Sequence, residues 1–242
     1  MIVGAVSDVG LKRQNNQDYM FASTEKNFPL FVIADGMGGH NAGEVASSMA
    51  VKTVLDKFRE NLEKLNNEKT IKLLIKEAIQ EANDNIYLKS FERQELNGMG
   101  TTITMAYVYD TKIFIGHVGD SRAYVIKNRE ISQITEDHSL VNELVKNGSI
   151  TPAEAINHPQ RNMITRAVGT SYKINLDLYI INYEDKDKLV LCSDGLTNMV
   201  DDNTILEVIN RNIWRRRSMR GFLTFRRPPV MRQHAARGAS AS

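Results

Sequence analysis

The sequence is poor in cysteine and in long apolar runs, and each shortage excludes a class of protein. The 242-residue chain has one cysteine, Cys192, so it cannot form an internal disulfide, and this favours a reducing compartment. Residues 1–8 lack the basic and long apolar segments of a secretion signal. No apolar run is long enough to span a bilayer. With 42% hydrophobic residues, the composition predicts one cytoplasmic domain with a sizeable core.

Acidic residues and lysine are both absent from residue 211 onward, where nine arginines occur. The preceding 210 residues carry more acidic than basic side chains. This contrast predicts a folded body at 1–210 and an arginine-rich tail at 211–242 that is disordered or non-native. The abrupt change favours a reading-frame or assembly fault over a truncated variant or a basic extension. As an extension, the tail could bind RNA or an anionic membrane through charge, but the acidic body argues against a nucleic-acid partner.

Apolar periodicity divides the body into separate regions of strands and helices. Helical spacing predicts helices at 43–62, around 71–86, at 140–146 and at 202–209. Strands are predicted at 2–8, 19–23, 30–34, from Thr101 to 107, and at 113–118, 122–127, 131–134, 176–183 and 188–193. This segregation predicts an α+β fold with antiparallel sheets. The polar stretch at 139–170 is predicted to be a mobile flap.

Three acidic turns each end an apolar run and together suggest a metal site. They contain Asp35 with Gly36, Asp120, and Asp194 with Gly195. Carboxylates at the tips of buried strands are held rigidly, and hard divalent cations prefer such oxygen ligands. Asp35 is the best candidate for bridging two cations, and the Gly36 carbonyl could add a ligand through water. The alternatives are that Asp-Gly simply forms turns and that Asp120 pairs with Arg122.

Several segments in fixed order resemble the bacterial branch of the protein phosphatase 2C-like (PPM) family. They are Arg13-x-x-Asn16-Gln17-Asp18, Asp35-Gly36-Met37-Gly38-Gly39-His40, Gly100-Thr101-Thr102, Gly119-Asp120-Ser121-Arg122, Asp137-His138-Ser139, His158-Pro159 to Gly169, and Ser193-Asp194-Gly195. The resemblance covers nearly all of the body. It implies a sandwich of two antiparallel β-sheets flanked by helical layers, in the order α-β-β-α, with the flap as an insert.

The resemblance also implies an activity, the hydrolysis of phosphoserine and phosphothreonine in proteins by a water activated between two Mn²⁺ or Mg²⁺ ions. Asp35 would bridge both ions, Asp194 would hold the first, and Asp18 would order the second through water. Asp120 with Asp194 would hold a third ion, as in bacterial relatives, and Arg13 would orient the phosphate. The implied partners are phosphorylated proteins, among them a Ser/Thr kinase and its substrates.

The general acid is not settled by the sequence. Animal relatives place a histidine two residues after the bridging aspartate, where this chain has Met37. His40 is the nearest imidazole and the candidate acid, although metal-bound water or a purely supporting role for His40 fits equally well. His138 and His158 are interpreted as structural.

The chain departs from the family pattern after Asn210, where the usual Gly-Gly-x-Asp-Asn turn is missing. Its aspartate would complete the shell of the first metal. We also expect no closing strand, which would leave a sheet edge exposed. Losing the aspartate should weaken metal binding, so the alternative function is a catalytically impaired protein that binds phosphopeptides.

Overall fold

The strands of this protein form two antiparallel sheets, and helices pack outside them. The computed structural model describes residues 1–10, 13–38, 42–211 and 222–224. The strands are β1 Ile2–Gly4, β2 Asp18–Ala22, β3 Leu30–Met37, β4 Gly100–Thr101, β5 Ile103–Tyr109, β6 Lys112–Val118, β7 Arg122–Lys127, β8 Glu130–Gln133, β9 Asp177–Asn182, β10 Lys188–Cys192 and β11 Phe222–Thr224. The helices are α1 Ala42–Glu60, α2 Glu68–Lys89, α3 Leu140–Lys146, α4 Pro152–Ile156, α5 Asp194–Thr197 and α6 Asp202–Asn210, with 3₁₀ turns at Leu62–Lys64 and Gln94–Leu96.

The two sheets have different strand orders and together carry the site. One sheet runs β1-β11-β10-β7-β8 and the other runs β2-β3-β5-β6-β9, with β4 paired to the end of β3. Neighbouring strands in both sheets pair antiparallel. The meander from β5 to β8 crosses from one sheet to the other between β6 and β7, so the Gly119–Asp120 turn lies at the junction.

Three apolar cores separate the four layers of helices and sheets. The largest core lies between α1, α2 and the sheet that contains β3, and Val54, Ile75 and Met105 are fully buried there. A second core fills the space between the two sheets. A third packs α6 through Ile205 and Ile209 against the outer face of the other sheet. The order α-β-β-α and the α+β class predicted from the sequence are confirmed.

Helix α2 illustrates why the sequence patterns were informative. Asn67 caps its first turn by accepting a hydrogen bond from the Thr70 amide at 2.9 Å, which satisfies one of the free donors at a helix start. The apolar side chains that recur at helical spacing in 71–86, its apolar stripe, are buried, including Ile71, Ile79 and Ile86. The helix therefore begins at a polar cap and is held by one buried face.

The sequence expectation for the end of the fold is wrong. No closing strand was expected after Asn210, yet Phe222–Thr224 forms β11 and pairs with both β1 and β10. Backbone pairing does not require a particular side-chain composition, so a short strand in an arginine-rich segment gave no period-two signal. The division at residue 210 remains a prediction, since most of the tail lies outside the described residues.

In the part of the chain that the structure describes, each helix is too short or too polar to cross a membrane.

Candidate metal and phosphate site

Asp18 and Asp35 form a cross-strand pair near the ends of β2 and β3. They lie opposite each other in the antiparallel register, and such paired side chains project from the same face of a sheet. Their carboxyl groups lie close enough for Asp18 to raise the pKa of Asp35. Strand β3 continues to Met37. Asp35 therefore lies within the strand and not in a turn that follows it.

Asp194 joins this pair from the other sheet. It is the first residue of α5, just after β10, and its carboxyl group lies close enough to raise the pKa of Asp35. Ser193 Oγ donates a hydrogen bond to Asp18 Oδ2 at 2.8 Å, and Asn198 Nδ2 donates to Asp194 Oδ2 at 3.0 Å. These two bonds fix the site where the ends of the two sheets meet.

Asp120 occupies the turn between β6 and β7. It lies close enough to Asp194 for the charge of that carboxylate to raise the pKa of Asp120. The preceding residue, Gly119, has a φ of 112°, which is unfavourable for residues with a side chain. Arg122 makes its ion pair elsewhere, since its Nε and Nη2 donate to Asp137 at 2.9 and 2.6 Å. The alternative in which Arg122 is the hydrogen-bonded partner of Asp120 is therefore wrong.

We call these four aspartates the carboxylate cluster (Asp18, Asp35, Asp120 and Asp194). They share one electrostatic environment. Burial, followed by the charges of Asp18 and Asp194, raises the pKa of Asp35 to about 9. Burial, followed by the charge of Asp194, raises the pKa of Asp120 to about 6. Both shifts have the sign expected when like charges are confined away from water. The cluster is therefore short of positive charge.

The carboxylate cluster fits a hard divalent cation by its chemistry. Within residues 1–10, 13–38 and 42–211, no group of three or more His, Cys, Asp or Glu side chains is already arranged to hold a metal ion, although Asp18 and Asp194 both lie close enough to Asp35 to raise its pKa. Anionic oxygens are the ligands that Mg²⁺ and Mn²⁺ prefer. A cation among them would offset the repulsion that raises the pKa of Asp35.

Thr101 and Thr102 support Asp35, and sequence reasoning assigned them no role. Thr102 Oγ1 accepts a hydrogen bond from the Asp35 amide at 2.9 Å and also contacts Ser121 Oγ at 2.8 Å. The Thr102 amide and the Thr101 hydroxyl both donate to the Asp35 carbonyl oxygen at 2.9 Å. The motif Gly100-Thr101-Thr102 was the signal for this role, but the partner 66 positions away cannot be read from one sequence.

Three further residues were predicted for the site, and the structure describes two of them. Gly36 lies in β3 beside the cluster, and its amide donates to the Gln17 carbonyl at 3.0 Å. Arg13 is exposed in the loop before β2. His40 falls outside the described residues. The roles given to these three residues remain predictions.

A cysteine-based reaction is excluded by the environment of Cys192. Its side chain is buried, and burial raises the pKa of the thiol to about 12. The thiolate, which is the reactive form, is therefore scarce at neutral pH.

His117, on β6 next to the site, should make stability pH-dependent. Burial and the nearby charge of His138 lower its pKa from 6.5 to about 4, and the opposing charge of Asp177 does not reverse this. The folded protein thus binds its proton more weakly than the unfolded chain, so stability is lost as the pH falls below 6.5, until about 4. From pH 7.5 to 5, this loss should amount to about 2 kcal/mol.

Urea unfolding in EDTA at these two pH values would measure the loss. His117→Gln keeps a donor for the Glu136 carbonyl, which contacts His117 Nε2 at 3.0 Å, but does not titrate. The variant should lose about 2 kcal/mol less than the wild type. Because both proteins share the carboxylate cluster, its opposite pH dependence cancels in this difference. Equal losses would contradict the assignment.

Comparison with known proteins agrees with the motifs and the fold. A family model described as Protein phosphatase 2C matches residues 11–226. The serine/threonine phosphatase stp of Listeria monocytogenes serotype 4b (strain F2365) is 42% identical over 204 residues, covering 84% of this chain and 81% of that protein. The Mycobacterium tuberculosis serine/threonine phosphatase PstP/Ppp superposes with a TM-score of 0.77 at 36% identity, covering 86% of this chain and 85% of that one.

A second solved structure, the catalytic domain of PstP in complex with two manganese ions, has a TM-score of 0.74 at 34% identity and covers 86% of this chain and 83% of that one. These similarities place the protein among the protein-serine/threonine phosphatases. The chain belongs to the protein phosphatase 2C family. The family, fold and enzyme class predicted from the sequence are confirmed.

Proposed function

We propose that this protein uses its carboxylate cluster to hold two divalent ions, Mn²⁺ or Mg²⁺, and removes phosphate from phosphoserine and phosphothreonine in other proteins. The observation that carries the proposal is the convergence of Asp18, Asp35, Asp120 and Asp194 from four separate segments. When bound, the ions activate a water for attack on phosphorus. A third ion at Asp120 and Asp194 is part of the same proposal.

The chain's own residues position the reactants. The pairing of β2 with β3 places Asp18 opposite Asp35 on the sheet, which sets where a bridging carboxylate can act. Arg13 is proposed to bind the phosphate oxygens, since a guanidinium matches them with paired donors. His40 is proposed to protonate the leaving oxygen, and the carbonyl of Gly36 to bind a water of the metal shell.

The proposed partners and compartment follow from this activity. Substrates would be phosphorylated proteins, including a Ser/Thr kinase and the proteins it modifies, because a phosphatase of this class removes by hydrolysis the phosphate that such a kinase adds. The cytoplasm suits an enzyme whose one cysteine is a buried free thiol. We expect no nucleic acid among the partners.

Metal removal and replacement tests the proposed function. The full chain, treated with EDTA, should not hydrolyse p-nitrophenyl phosphate or a phosphothreonine peptide. Adding Mn²⁺ should restore saturable turnover of both, because charge neutralisation and water activation then become available. Turnover that is unaffected by EDTA would contradict the proposal.

The same titration separates an active enzyme from the impaired alternative. A folded protein that binds the phosphopeptide with Mn²⁺ but hydrolyses neither substrate would support the impaired protein. The phosphatase names of the relatives favour the active enzyme, and no contact among the described residues favours the impaired one.

A further inference from the structure

His138 is a buried side chain that touches the turn carrying Asp120. Its Nδ1 accepts a hydrogen bond from the Gly119 amide at 3.0 Å, and its own amide donates to the Gly119 carbonyl at 2.8 Å. A backbone N–H can only donate, so Nδ1 carries no proton. The neutral ring then carries its proton on Nε2, which faces the Asp177 Oδ2 acceptor at 3.0 Å and also lies 3.2 Å from Arg166 Nη1.

Gly119 needs such support because its conformation is unusual. Its φ of 112° suits glycine alone, and a Cβ there would lie 2.6 Å from Cβ of Thr102. The turn is therefore closely packed on one side and bonded to His138 on the other. Asp120 is the next residue, so its carboxyl group depends on where this turn lies.

The C-terminal end of the flap, at Thr165 and Arg166, is hydrogen-bonded to His138 and to its partner Asp177. The Thr165 amide donates to the His138 carbonyl at 2.8 Å, and Arg166 Nη1 donates to Asp177 Oδ1 at 3.2 Å. The side chains of Arg166 and Asp177 are 42% and 34% exposed, so the ion pair itself contributes little to stability. Its position is more informative, because it holds the carboxylate that orients the His138 ring.

We propose that His138 is a positioning residue that fixes the Gly119–Asp120 turn through Nδ1. Through Arg166 and Asp177, the position of this turn is also coupled to the C-terminal end of the flap. The inference rests on the proposed function only in giving Asp120 a role at the metal site. A histidine that merely fills space would not require its Nδ1 acceptor.

Two substitutions separate the two ring nitrogens. His138→Asn places an amide oxygen near the position of Nδ1 and keeps an acceptor for the Gly119 amide. His138→Gln places its amide near Nε2, keeps a donor for Asp177 and leaves the Gly119 amide unpaired. The first readout is amide hydrogen exchange at Gly119, measured by NMR in EDTA, which does not depend on activity.

We expect exchange at Gly119 to be at least tenfold faster in His138→Gln and within threefold of wild type in His138→Asn. With saturating Mn²⁺, kcat for p-nitrophenyl phosphate should fall at least tenfold in His138→Gln with KM little changed, and His138→Asn should restore most of it. Equal exchange in the two variants, or wild-type exchange in His138→Gln, would overturn the role of Nδ1. A wild type without phosphatase activity would instead contradict the proposed function and leave the exchange result valid.

The coupling to the flap is tested by Arg166→Gln, which removes the ion pair with Asp177 and the 3.2 Å contact between Arg166 Nη1 and His138 Nε2 but keeps the histidine itself. Exchange at Gly119 should become at least threefold faster. Arg211→Gln is the matched control, because Arg211 pairs with Glu207 at 2.8 Å on α6, and it should leave exchange at Gly119 unchanged. Unchanged exchange in Arg166→Gln would overturn the coupling even if His138→Gln fails to fold.

Discussion

Replacing Asp35 by asparagine should reduce phosphatase turnover at least about a thousandfold while making the EDTA-treated protein more stable. The loss of activity is expected because a bridging carboxylate is proposed to hold both ions, and an amide brings no negative charge and only one good ligand oxygen. The gain in stability has a separate cause. In the ion-free protein, burial and the charges of Asp18 and Asp194 raise the pKa of Asp35 to about 9.

The sign of the stability change follows from this pKa. A raised carboxyl pKa means that the folded protein binds the proton more tightly than the unfolded chain, so the wild type loses stability as the pH rises from about 4 to 9. Asparagine does not titrate, so the advantage of the variant in EDTA should grow with pH. Mn²⁺ should then stabilise only the wild type, because a ligand stabilises the state that binds it.

Thermal unfolding at pH 7.5, with and without Mn²⁺, would show the expected reversal in the order of melting temperatures. Asp56→Asn is the control, since Asp56 is an exposed side chain on α1 and should change neither activity nor the Mn²⁺ response. Retained turnover in Asp35→Asn would contradict the metal-site assignment. An Mn²⁺-induced rise in melting temperature equal to that of wild type would contradict the bridging role.

Replacing Gly36 by alanine should be nearly as damaging, but by a steric route. A Cβ on Gly36 would lie 1.9 Å from the Gly43 carbonyl oxygen and 2.7 Å from the Gln17 carbonyl oxygen. Both are backbone atoms that cannot move without shifting α1 or β2. We expect a loss of about 3 kcal/mol or more in the free energy of unfolding, at the upper end for overpacked sites.

Activity should fall with it, since a displacement of about 1 Å at a reactive centre can cost a hundredfold in rate. Gly195→Ala is a matched control, because Gly195 also follows an aspartate of the cluster. The nearest atom to its added Cβ would be Ser193 Oγ at 3.8 Å, so alanine should be tolerated. Urea unfolding and p-nitrophenyl phosphate turnover would compare the pair, and equal behaviour would contradict the close contact of Gly36 with Gly43.

The sequence predicted features that repeat locally and missed those formed by distant partners. The stripe of α2 was visible because helical spacing marks one face, and the acidic turns were visible because each ends an apolar run. The bond from Ser193 to Asp18 joins residues at opposite ends of the chain, and no local pattern encodes it. The pairing of Arg122 with Asp137 was missed for the same reason, since a nearer carboxylate was available in sequence.

The place of β11 has a consequence for how the chain can fold during synthesis. In the described residues, β1 joins its sheet only through β11, which lies between β1 and β10. Because β1 leaves the ribosome long before β11, it must wait for that later strand before it can pair. Non-local pairing of this kind is slow because a long loop must close first. Residues 2–4 should accordingly stay open to proteases in nascent chains, even after the helices and the meander have folded.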